Sequence, residues 1–164
     1  MVRQKSADRP DKSKRLDIGG KILVIEARFY DDIADELAAG AVAELEARGI
    51  AFDRVTVPGA LEIPQALAAA MPLFSDIYVG AVALGCVIRG ETGHYDVVVE
   101  NANHWLMDVA INGGIPVGNA ILTVDTKEQA MARATGGRDG KGGDAVRACL
   151  DLIVIEQRFA ELLP

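Results

Sequence analysis

Cysteine is scarce in this chain and wrongly spaced for a metal. The two present, Cys86 and Cys149, stand far apart with no secretory leader before them, so a reduced, cytosolic (cytoplasmic) setting is expected. Basic charge is in deficit. Lys and Arg number 17 against 24 Asp and Glu, the formal net charge is −7, and no basic stripe offers itself to a nucleic acid. Aromatic residues make up only 5% of the chain, too little for a base-stacking surface, and the single Trp105 reads as a packing residue. Long apolar runs are missing too. The longest strongly apolar one, around Ile77 to Ile88, falls short of the ~20 residues that a membrane-spanning helix needs. What is there is one domain's worth of chain, 164 residues of which half are hydrophobic.

Residues 1–19 carry Lys5, Arg9, Lys12, Lys14 and Arg15 around Pro10 and read as a flexible, charged, solvated arm; residues 20–164 read as a single domain. The β-rich burst Lys21 to Ala27 is a first central strand. Phe29 follows at its carboxyl end, where an aromatic is either a lid on the core or a stacking surface for a planar ligand. Asp31 and Asp32 supply cap and first-turn acids to a helix that shows Ile33, Leu37, Ala41 and Leu45 on one face and stops at Gly49. Phe52 to Val57 reads as a second strand. A helix then opens at Ala60 with Pro64 in its first turn. Glu62 there is either an acceptor for a sugar or polyol or simply a first-turn acid favoured by the helix dipole. Ile77 to Leu84 gives a third strand, Tyr95 to Gly113 a helix, and Ile115 to Val124 a fourth strand. A helix capped by Asp125 and Thr126 runs to Arg133, a loop covers Gly136 to Gly143, and a closing helix runs from Asp144 to about Phe159. Four buried strands among five helices imply a doubly wound parallel sheet, because parallel neighbours need crossovers and right-handed crossovers cover both faces.

The stretch Gly85-Cys86-Val87-Ile88-Arg89-Gly90-Glu91-Thr92-Gly93-His94-Tyr95-Asp96 is expected to be the turn from the third strand into the next helix. A turn with three glycines either only joins strand to helix, or cradles an anion on exposed amides at a helix start. His94 adds an imidazole, the side chain that ordinarily titrates near neutrality. The candidate groups Phe29, Gly59 to Glu62, Cys86 to His94 and Asn119 are all expected at carboxyl ends of strands, where open α/β sheets bind ligands.

Phe29, the block Val57-Pro58-Gly59-Ala60-Leu61-Glu62-Ile63-Pro64, the block Gly85 to Asp96, and Pro116-Val117 through Ala130 to Arg133 resemble, in order and spacing, the 6,7-dimethyl-8-ribityllumazine synthase family. The likeness covers about residues 20 to 160. The fold class expected is a three-layer, flavodoxin-like, doubly wound sheet of four parallel strands in the order 2-1-3-4 with helices on both faces. The resemblance implies a transferase of riboflavin biosynthesis that condenses 5-amino-6-(D-ribitylamino)uracil with 3,4-dihydroxy-2-butanone 4-phosphate, releasing phosphate and water. It implies no cofactor and no metal. Carried over by position, it implies that Phe29 stacks on the pyrimidine and that Ala60, Leu61 and Glu62 hold the ribityl chain. Cys86, Val87 and Ile88 present main-chain groups to the uracil edge, Glu91 and Thr92 take the phosphate through the turn, and His94 transfers protons. A neighbouring subunit supplies Arg133 to the phosphate and Asn119 to the pyrimidine pocket, with Lys141 and Asp144 as second-tier polar residues. Many relatives carry an aromatic where Asn119 stands. A homo-oligomer follows, expected as a pentamer, with a 60-subunit icosahedral capsid as the alternative; neither nucleic acid nor membrane is a partner. Two other functions are weighed against the synthase: a weakly active paralogue serving as a ribityl-pyrimidine or flavin-binding scaffold, and a flavin-phosphate-binding module.

Overall fold

The computed structural model describes residues 14–164. The elements are β1 (Lys21–Ala27), α1 (Asp31–Arg48), β2 (Phe52–Val57), α2 (Glu62–Ala70), β3 (Tyr78–Ile88), α3 (His94–Gly113), β4 (Val117–Val124), α4 (Lys127–Ala134) and α5 (Lys141–Ala160). Single 3₁₀ turns at Met71–Leu73 and Gly137–Asp139 precede β3 and α5. The strands form one wholly parallel sheet in the order β2-β1-β3-β4, the expected topology.

β1 and β3 are central and buried on both faces, so their side chains serve two cores by turns. Ile22 and Val24 of β1 join Val82 and Leu84 of β3 under α1, α4 and α5, while Leu23 and Ile25 join Ala81 and Ala83 under α2 and α3. This period of two inside an unbroken apolar run is what a strand covered by helices on both sides requires. One polar residue breaks the pattern. Glu26, only 1% exposed, is gripped by two N–H groups of Arg54 on β2, and Arg28 lies 3.8 Å away. A second buried carboxylate, Glu44 of α1, accepts from Arg138 at 2.8 Å and from Arg147 at 3.0 Å and lies 3.6 Å from Arg48. Pairing is what allows either charge to remain inside.

Several expectations need correction. The third strand does not end at Leu84: it continues to Ile88, with Gly85 facing Ile121 and Ile88 facing Val124 in register. Gly85 is therefore a close-packing glycine and not a turn, since an added methyl would lie 3.2 Å from the Ile63 side chain. The second strand, expected to be buried like the other three, is a half-open edge, for Arg54, Val55 and Thr56 of β2 are exposed and only β1 pairs with it. α2 begins at Glu62, two residues after Ala60, with Pro64 still in its first turn. α5 begins at Lys141, so the loop expected to reach Gly143 is shorter by three residues; Gly142 and Gly143 are glycines because α5 starts against main chain. Trp105 is not buried packing but 51% exposed on α3, with His104 edge-on beside it at 4.9 Å. Most of the expected solvated arm, residues 1–13, lies outside the described residues. Its remainder is not all solvated, because Ile18 is buried and Leu16, whose amide donates to Arg48 O at 3.1 Å, packs on the same core.

α5 is seated on β4 and α1 at main-chain distance. A methyl on Gly118 of β4 would stand 1.8 Å from Ala145 O, and one on Gly142 would stand 2.0 Å from Leu37 O. Gly114 presents the opposite case, a φ of 62° at the end of α3 with open space around it. Gly118→Ala is expected to destabilise the fold by about 3 kcal/mol, the upper end for overpacking, because backbone has to move. Gly114→Ala should cost only the left-handed conformation, about 1–2 kcal/mol. Urea unfolding of the two variants separates the cases, and equal losses would contradict the seating of α5.

Candidate active site

Parallel strands bring their carboxyl ends to one edge of the sheet, and three of the four open there into a single cleft of about 430 Å³. Phe29 and Tyr30 enter it from the end of β1, and Pro58 to Glu62 from the end of β2. Cys86, Val87 and Ile88 line it from the last turn of β3, Gly90 and Thr92 from the loop beyond, and His94, Tyr95 and Val98 from the first turns of α3. Val98 lies four residues after His94 and three after Tyr95, so it shares a side of α3 with each of them.

Each wall has its own chemistry. Phe29 is 71% exposed, its ring held only by an edge contact with Tyr30 at 5.0 Å, so it covers no core and offers a face to a planar ligand. That exposure counts against the lid reading of Phe29. Glu62 opens α2 and turns its carboxylate back over Gly59, where an added methyl would meet Oε2 at 3.3 Å and the Phe29 ring at 3.9 Å. A bare glycine there leaves room for a ligand chain between ring and carboxylate.

The loop after β3 is a nest of donors. Arg89 N still bonds Val124 O at 2.9 Å, but among the described residues the amides of Gly90, Glu91, Thr92 and Gly93 find no acceptor. His94 N reaches Thr92 Oγ1 only at 3.4 Å, and Gly93 caps α3 without a side-chain bond. The twenty-residue α3 adds the partial positive charge of its N-terminus to those donors. No glycine of this loop takes positive φ, so their role is to leave amides uncovered and not to make a left-handed turn.

Among the described residues, no Lys or Arg side chain lines the cleft, and Glu62 is the one carboxylate that does. Arg89, the nearest cation in sequence, is turned to Asp125 at 3.2 Å and Asp96 at 3.6 Å and covers the Tyr95 ring at 4.0 Å. Arg28 is held by Asp31 and Asp35 at 2.9 and 2.8 Å. What the described residues of the cleft would offer an anion is therefore amide dipoles.

Of the residues singled out from sequence, Phe29, Ala60, Leu61, Glu62, Cys86, Val87, Ile88, Thr92 and His94 meet in this cleft. Glu91, Asn119, Arg133, Lys141 and Asp144 do not line it. Asn119 is not at a strand's carboxyl end as expected: it is the third residue of β4, opposite Ala83 in the middle of β3. Its Nδ2 donates to Asn103 Oδ1 at 2.8 Å. Arg133 donates to Gln129 O of its own helix at 2.8 Å and is exposed. Lys141 lies 3.4 Å from Asp144, which accepts from Arg147 at 2.6 Å. Val98 was missed as a lining residue, although its spacing of four from His94 was a readable signal. Among the described residues, no helix is long and apolar enough to cross a membrane.

The sequence profile of one family, described as 6,7-dimethyl-8-ribityllumazine synthase, matches residues 19–157. A protein of that name from Methylorubrum populi is 51% identical over 168 aligned positions, covering 100% of this chain and 99% of the relative. Namesakes from Bartonella bacilliformis and Nitrobacter hamburgensis are 47% and 48% identical, covering 91% and 94% of this chain and 98% of each relative.

Burial pushes the Cys86 thiol up to about 11, with the nearby Asp32 carboxylate adding to the effect, and burial drives Cys149 up to about 12. Both are neutral thiols at physiological pH, poor nucleophiles despite the position of Cys86 in the cleft. Alkylation of Cys86 by iodoacetamide, followed by mass spectrometry, should be slow at pH 8 and accelerate about tenfold per pH unit until about pH 11. Since a raised thiol pKa favours the fold below the ordinary cysteine range, stability should be complete below about pH 8.5 and fall as pH rises toward 11 to 12. Rapid labelling at pH 7 would contradict the burial of Cys86.

Proposed function

The chain belongs to the 6,7-dimethyl-8-ribityllumazine synthase family, and from that premise we propose that its cleft condenses 5-amino-6-(D-ribitylamino)uracil with 3,4-dihydroxy-2-butanone 4-phosphate in riboflavin biosynthesis. It acts as a transferase and releases phosphate and water. The observation that carries this reading is the meeting, in one cleft, of an exposed aromatic face, a carboxylate over a bare glycine, and a donor nest beside an imidazole. These are the parts that a pyrimidine, a polyol and a phosphate each require. Nothing favours the slow scaffold or the flavin-phosphate module over it.

Phe29 stacks on the pyrimidine ring. Ala60, Leu61 and Glu62 hold the ribityl chain, the Glu62 carboxylate accepting from its hydroxyls. Main-chain groups of Cys86, Val87 and Ile88 face the uracil edge. Glu91 and Thr92 serve the phosphate through their amides, since the Glu91 carboxylate would repel it. The amine of the pyrimidine attacks the ketone, water leaves to give the imine, phosphate is eliminated to leave an enol that tautomerises to a ketone, and the ribitylamino nitrogen closes the ring on that carbonyl carbon with loss of a second water. His94 moves the protons, accepting from the attacking amine and returning one to the departing oxygen. The nest stabilises phosphate as its charge grows on leaving.

A phosphate dianion and Glu62 together call for a cation, and among the described residues no Lys or Arg of the same chain lines the cleft. Arg133 of an adjoining copy meets that need in our reading, with Lys141 and Asp144 behind it and Asn119 closing the pyrimidine pocket. Repetition of one heterologous interface closes a ring, which we take as a pentamer, with a 60-subunit shell as the larger alternative. An apolar groove between α2 and α3, bordered by Leu61, Val97 and Trp105, supports such an interface. A cytoplasmic setting accords with two unpaired, neutral thiols.

Absorbance of the lumazine after mixing the two substrates with the purified protein tests the activity directly. His94→Ala should lower kcat by about ten- to a hundredfold, near the lower end for a general acid-base residue because the cleft is open to water. Arg133→Ala should raise KM for the butanone phosphate and leave pyrimidine binding intact. Chains of the two variants refolded together should recover activity, since about a quarter of the interfaces in a random mixture carry both intact residues. Parent rates in both variants would overturn the catalytic assignment, and failure of the mixture to recover would overturn the shared site.

A further inference from the structure

Asn119 stands on the outer edge of β4, and its carboxamide is locked. Ile121 N donates to its Oδ1 at 2.8 Å, which satisfies an edge amide that no fifth strand would reach. Its Nδ2 donates to Asn103 Oδ1 at 2.8 Å, and Asn103 Nδ2 in turn donates to Val99 O at 2.9 Å, one turn back on α3. Main chain fixes both ends of this relay: an amide hydrogen must meet an oxygen at Asn119, and a carbonyl must meet a nitrogen at Asn103. Neither carboxamide can flip without breaking a bond to the backbone. By inventory, Asn119 is left with one N–H and one oxygen lone pair for an outside partner, in a defined orientation.

We infer that Asn103 is a positioning residue, which sets the Asn119 carboxamide so that it reads the polar edge of a heterocyclic substrate by hydrogen bonding. This rests on the reading above, in which Asn119 closes the pyrimidine pocket of the adjoining copy. An aromatic wall at that position recognises a ring face and accepts any flat ring of the right size; an oriented carboxamide discriminates by donor and acceptor pattern. Ile121 N holds the oxygen end of Asn119 and Asn103 holds the nitrogen end; without Asn103 the carboxamide keeps one anchor instead of two, and its outward N–H is less well directed. Asn103 is exposed enough on α3 to be changed without opening the core, and alanine favours the helix.

The experiment compares steady-state kinetics of Asn103→Ala, Asn119→Ala, Asn119→Phe and the Asn103→Ala/Asn119→Phe pair, each in its native assembly. Asn103→Ala is expected to raise KM for the ribitylaminouracil about three- to tenfold, with KM for the butanone phosphate and kcat within about twofold of the parent. Asn119→Ala should do the same. In the Asn119→Phe background, where no carboxamide remains to be oriented, Asn103→Ala should add nothing. A raised KM in Asn119→Ala with parent kinetics in Asn103→Ala would overturn the positioning role while leaving the shared pocket standing. Parent kinetics in Asn119→Ala would remove Asn119 from the pocket, and the inference with it, while the tests of His94 and Arg133 still stand. Equal losses from Asn103→Ala with and without Asn119→Phe would show a structural effect of α3 and also overturn the proposal.

Discussion

The burial of β1 and β3 on both faces is the constraint from which the rest follows. A strand covered by helices above and below has no solvated side on which to carry polar groups, so polar function is driven to the ends of the strands. Parallel direction then gathers those ends, and Phe29, Glu62 and the loop after Ile88 share a cleft although they are distant in sequence. The exceptions are Glu26 on β1 and Glu44 on α1, each buried only because arginines from neighbouring elements reach it. Glu26 fastens β2 to β1 just below the cleft, and Arg28 continues that tie to the first turn of α1. The segment that displays Phe29 is thereby anchored on both sides while the ring itself stays uncovered.

Charge is distributed so that the cleft alone is short of cations. Arginines are abundant near it, yet Arg28, Arg54 and Arg89 are committed to carboxylates of the same chain. What remains for an anion, among the described residues, is a set of amides and the dipole of α3. Supply of the balancing charge from outside the chain makes assembly and chemistry interdependent in this reading.

Much of this was legible in the sequence, for reasons that lie in particular residues. Lys21 to Ala27 and Phe52 to Val57 were readable because β-branched and apolar residues end at glycine, proline or an acidic cap. The caps at Gly49 and Thr126 fell where expected, the threonine accepting from Gln129 N at 3.2 Å. Gly85 misled because a glycine in a strand and a glycine in a turn look alike until the packing partner, Ile63, is known. Lys141-Gly142-Gly143 misled in the reverse sense: glycine argues against a helix, but close approach of α5 to α1 demands it there. Asn119 was placed at a carboxyl end although the bounds read for its strand, Ile115 to Val124, already put it near the middle, where it stands opposite Ala83. Trp105 was read as core because tryptophan usually is, and only the tertiary arrangement shows it outside.

The seating of α5 against β4 and α1 bears on how such a chain can diverge. Where backbone rests on backbone, as at Gly118 and Gly142, any side chain would displace main chain, so exchange there is opposed by the loss of fold stability. The opposite layer is freer, because Asn103, Trp105 and Asn119 lie at its surface and their replacement leaves the interior intact. Adaptation to a new metabolite in descendants of this protein would therefore be inscribed on α3 and the rim of β4, while the far side keeps its ancestral form.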